Sequence, residues 1–118
     1  MAVTIDGTWK LTGGQQDGRD LTDADLQPSS LLIEGDRHTV HVGQEVMQGT
    51  HTLNPDVSPM TIDASDSEGP FAGQTLLGIF KVEDDVFTVC FAAPGAARPT
   101  GFTTQDGQAA ILHFWKRA

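Results

Sequence analysis

Between residues 37 and 53 the chain alternates. His38, Val40 and Val42 fall on one side and Arg37, Thr39 and His41 on the other, the period of two of a half-buried strand. Gly43-Gln44 then has the form of a two-residue hairpin loop, in which glycine supplies the positive φ. A tight loop there sets Val42 opposite Glu45 and Val40 opposite Met47, and brings Met47, Gly49, His51 and Leu53 onto the valine face. The same reading predicts strands over 4–12, 31–33, 60–64, 75–82, 86–92 and 109–116, with a further short one at Gly101-Phe102-Thr103. Asp17-Gly18, Glu34-Gly35-Asp36, Glu83-Asp84-Asp85 and Asp106-Gly107 punctuate them as turns. Residues 63–73 hold three acids, Pro70 and two glycines and read as a solvated loop.

One segment breaks the strand pattern. Over 20–27, Asp20 or Thr22 can cap a helix, Asp23 and Asp25 suit its first turn, Leu21 and Leu26 share a side, and Pro28 stops it. At about two turns such a helix has to pack on something to persist. The expected fold is therefore all-β, with about eight strands and one short helix after the first. An antiparallel up-and-down barrel or a sandwich satisfies this pattern, and the barrel is preferred because closure removes exposed strand edges. No repeat or linker divides the chain, so residues 1–118 are expected to form a single domain.

Composition narrows the function classes. A formal net charge of -9 on 118 residues repels phosphates and argues against nucleic-acid binding. No apolar run approaches the roughly 20 residues of a membrane helix, and the first residues, Met1 to Asp6, lack the basic and apolar regions of a signal peptide. One cysteine excludes an internal disulfide framework. A soluble, acidic cytoplasmic protein is expected, unless a leader has been removed; the oligomeric state is open.

Gly7-Thr8-Trp9 lies on the first predicted strand and Lys116-Arg117 ends the last. This resembles the calycin or lipocalin-like arrangement, in which a Gly-x-Trp packs across the barrel floor beneath a basic residue of the last strand. The ordered segments Gly7-Thr8-Trp9-Lys10, Ile33-Glu34-Gly35-Asp36, Pro59-Met60-Thr61-Ile62-Asp63, Gly73-Gln74-Thr75-Leu76-Leu77-Gly78-Ile79 and Cys90-Phe91-Ala92-Ala93-Pro94-Gly95, followed by Arg98-Pro99, span nearly the whole chain. Together they resemble a small bacterial domain family first noted in planctomycetes. The resemblance implies a lipocalin-like barrel and brings no activity with it. It departs from the family at His51, where the pattern has Tyr or Phe, and family members often look secreted or fused to other modules.

A barrel of about eight strands encloses room for side chains or for one small ligand. Gly49, Ala64 and Gly78 are small inward candidates that leave space. His51 shares their face and reads either as a buried histidine with one hydrogen bond or as a polar anchor or acid–base group inside a cavity. His38 and His41 read as surface strand residues, and His113 could meet His51 only through closure. No HxH, HExxH or CxxC spacing is present, so no metal site is expected. Cys90 reads as a small buried hydrophobe, reactive only with a lowered pKa and exposure. Arg98, held extended by Pro99, either pairs with a loop acid or reaches the cavity mouth.

The candidate ligand-contacting residues are Trp9, Val40, Met47, His51, Cys90, Arg98 and Phe102, with His51 the catalytic candidate. Three functions fit. The first is binding of a small, mostly apolar molecule without a cofactor. The second is a cofactor-independent isomerase, cyclase or lyase using His51. The third is a structural or interaction domain with a solid core.

Overall fold

A turn of two residues leaves a strand no course but to return beside its predecessor, and this chain repeats that move. At Asp84 and Asp85 φ is 51° and 64°, positive at both central positions as a type I′ hairpin requires and as aspartate tolerates. The computed structural model describes residues 5–16, 18–22, 29–42, 45–67, 73–93, 95–102, 104 and 110–118. Nine strands form: β1 (Gly7–Gln16), β2 (Arg19–Asp20), β3 (Ser29–Glu34), β4 (Arg37–Val42), β5 (Glu45–Asn54), β6 (Met60–Asp66), β7 (Thr75–Glu83), β8 (Val86–Phe91) and β9 (Ile111–Arg117). From β3 to β9 each pairs with the next, β3 pairs with β1, and β1 pairs with β9. Eight antiparallel strands thus close an up-and-down barrel, and β2 hangs on β1 as a two-residue extension.

The β4–β5 register matches the alternation argument, with Val42 opposite Glu45, Val40 opposite Met47 and His38 opposite Gly49. The hairpin residues 43–44 themselves lie outside the described residues. Elsewhere the structure corrects the reading. β6 continues to Asp66, so the first residues of the expected 63–73 loop are strand. Gly101 and Phe102 form a bend, not a strand. The helix expected over 20–27 is not supported: Asp20 pairs with Gln15 in β2, Leu21 donates its backbone N–H to Gly14 O at 3.0 Å, and no helix occurs among the described residues. Residues 23–28 lie outside that set. Two turns of helix have too few internal hydrogen bonds to outweigh strand pairing at their first residue.

One end of the barrel is packed solid. Trp9 is 0% exposed, its indole N–H donates to Ile5 O at 2.8 Å, and its ring lies 5.6 Å from that of Phe87. Phe80 meets Phe87 edge-on at 6.0 Å. The Arg117 guanidinium sits 4.2 Å from the Trp9 ring centroid and donates from Nη1 to Asp6 O at 2.9 Å. Such a cation–π contact contributes roughly 0.5–2 kcal/mol. Gly7 permits it, because φ there is +127° and a Cβ would lie 2.8 Å from Arg117 Nη1.

β7, β8 and β9 are also buried on their outer faces. Ile79, Cys90 and Leu112 are each 1% exposed or less and pack with Phe102 and Phe114. Phe102 belongs to the connection after β8, which is tied down at both sides of this patch. Arg98 Nη1 contacts Asp63 Oδ1 at 2.7 Å and donates to Gly78 O at 2.9 Å. Thr104 donates its backbone N–H to Gln15 Oε1 at 3.3 Å and accepts from Gly18 N at 2.9 Å.

Candidate functional site

The inner faces of the strands supply both the solid floor and the space beside it. Large rings crowd the floor. Farther along, the inward residues include Val40, Met47, Ala64, Leu76 and Val89, and they leave a cavity of about 150 Å³. Twelve of the fifteen described residues that line it are apolar and the other three are His38, His51 and His113. Ala64 contributes to that space as expected. Gly78 does not leave a hole, since the Phe91 ring lies 2.6 Å from where its Cβ would be.

His51 comes from β5, opposite Ala64 on β6, and is 5% exposed. Its Nε2 lies 3.0 Å from Gly35 O in the β3–β4 turn, and its Nδ1 lies 3.2 Å from His38 Nδ1. A carbonyl only accepts, so His51 Nε2 carries the proton. The neutral ring then offers Nδ1 as an acceptor, and His38 Nδ1–H donates to it. The two rings stack at 5.4 Å and 24°. Burial and then the neighbouring His38 lower the His51 pKa, against the opposing pull of the Gly35 hydrogen bond and of Asp36 and Asp6. His51 therefore stays neutral, with both nitrogens engaged by the protein.

His38 corrects the expectation of a surface residue. It is half-buried on the inner face, one diagonal step from His51 across the β4–β5 ladder. His41 is exposed, as expected.

His113 was not singled out as a site residue. It stands on β9 between Val89 of β8 and Gly14 of β1 and lines the cavity. Among the described residues its one ring–ring contact is edge-on to Trp115 at 5.7 Å and 89°. Its withdrawal from bulk water pushes its pKa down to about 4, so it too is neutral at pH 7. The signal was present in the spacing: His113 is two residues from Trp115 and two from Ile111, and all three face inward.

Of the expected ligand-contacting residues, the structure brings Val40, Met47 and His51 to the cavity wall. Trp9 lies beneath it in the floor. Cys90 and Phe102 belong to the outer cluster, on the opposite side of the sheet. Burial there raises the Cys90 thiol pKa. Arg98 is held on Asp63 outside the barrel, away from the cavity lining. Glu45 is exposed. Among the described residues there is no group of three or more metal-ligating side chains, and no helix long and apolar enough to cross a membrane. The chain matches no family model, no curated protein and no solved structure.

Proposed function

We propose that this protein binds a small, mostly apolar molecule inside its barrel, in the manner of a small lipocalin-like domain. The observation that carries the reading is the apolar cavity of about 150 Å³. An apolar space of that order accepts a molecule of benzene's size. The Arg117–Trp9 contact across the floor supports the lipocalin-like reading. The lone Cys90, a free thiol, suits a cytoplasmic, reducing setting. The alternative of a cofactor-independent enzyme with His51 as acid–base group has less support, because both ring nitrogens of His51 already have protein partners.

Thermal unfolding in the presence of single-ring aromatic and aliphatic compounds tests the proposal. A ligand at about a hundred times its Kd adds about 2.7 kcal/mol, a rise in Tm of about 10 °C for a domain of this size. Ala64→Phe fills the space and abolishes that rise while the protein remains folded. If no compound raises Tm, or if the variant responds like the parent, the proposal fails.

A further inference from the structure

Resting on that cavity reading, we infer that the ligand is a neutral single-ring molecule carrying one hydroxyl, of the size of phenol, and that His113 is the group that binds the hydroxyl. Among the described residues three polar side chains line the cavity, and they are not equivalent. His38 and His51 face each other Nδ1 to Nδ1 at 3.2 Å, and His51 is further tied to Gly35 O. His113 alone has ring nitrogens with no hydrogen-bond partner among the described residues, and it stands half-buried at the cavity wall between Val89 and Gly14. An imidazole at the cavity wall with no protein partner keeps its donor and its acceptor for a molecule that enters the cavity.

The chemistry of the wall limits what the ligand can be. A neutral imidazole offers one N–H and one lone pair, which a hydroxyl complements in either direction. Among the described residues no Lys, Arg, Asp or Glu lines the cavity. A carboxylate or an ammonium group would therefore enter an apolar space with no counter-charge. The volume admits one six-membered ring with a single substituent.

Calorimetry at pH 7.5 with phenol, toluene and benzoate tests this. A purely apolar cavity prefers toluene, since phenol gives up a hydrogen bond to water on entering. The wild-type protein is expected to bind phenol at least tenfold more tightly than toluene and to show no benzoate binding. His113→Leu is expected to reverse the order of phenol and toluene. Toluene bound as tightly as phenol by the wild type, or a phenol preference that survives His113→Leu, overturns the inference and leaves the cavity reading standing. Binding of neither compound removes both. Should the variant not fold, nitrogen NMR of the wild-type imidazoles decides: phenol, and not toluene, shifts the His113 ring nitrogens, and identical spectra with the two compounds refute the assignment.

Discussion

β7, β8 and β9 are buried on both faces, and the two faces are built differently. Outside, Ile79, Cys90 and Leu112, each 1% exposed or less, form a small packed patch with Phe102 and Phe114. Inside, Phe87, Val89, Phe91 and His113 look across the barrel at residues too small or too distant to meet them all, and about 150 Å³ stays open. The same three strands thus serve stability on one side and a cavity on the other.

Truncations on the two faces should separate them most sharply. Leu112 is 1% exposed in the filled outer patch, so Leu112→Ala opens a new hole and is expected to cost about 4 kcal/mol in urea unfolding. Leu76 borders space that already exists, so Leu76→Ala is expected to cost about 2 kcal/mol or less. Equal losses would erase the distinction between the faces.

The pH dependence comes next in size and belongs to the inner face. Folding lowers the His113 pKa from 6.5 to about 4, so between those values the unfolded chain holds the extra proton. Stability from this residue is fully present above about pH 6.5 and is lost as the pH falls toward 4. The interval corresponds to about 3 kcal/mol, and the lowered His51 pKa acts in the same direction. Between pH 7.5 and 4 the wild type should lose about that much stability relative to His113→Leu; parallel curves would mean that His113 titrates as if exposed. The smallest expected effect is on the outer face. Burial raises the Cys90 thiol pKa, so Ellman's reagent at pH 8 should label it only as fast as the protein opens, with or without cavity ligand. Rapid labelling of the native protein would place Cys90 at an accessible surface.

These two faces also mark what the sequence made legible. In β4 and β5 one side meets solvent, so alternation revealed the inward set and the register that joins Val40 to Met47. β8 has no wet side. Phe87, Thr88, Val89 and Cys90 are all buried, and a run apolar on both faces carries no parity from which to tell them apart. Cys90 and Phe102 were accordingly expected at the ligand and lie behind the wall. His38 was legible but overruled: its spacing put it with Val40, and the usual preference of histidine for partly exposed positions argued the other way. What tipped the balance is its hydrogen bond to His51, a contact between strands that spacing along one strand does not display. The barrel end was readable through the resemblance of Gly7-Thr8-Trp9 and Lys116-Arg117 to the lipocalin-like arrangement, and Arg117 lies over Trp9. The short helix was not, because capping residues over 20–27 compete with the pairing of Asp20 to Gln15.

Xenon is the most direct probe of the central claim, that the inner face encloses apolar space. A crystal structure determined under xenon pressure should show the gas inside the barrel, among Val40, Ala64, Val89 and His113. An interior filled by side chains, with no xenon bound, would contradict it.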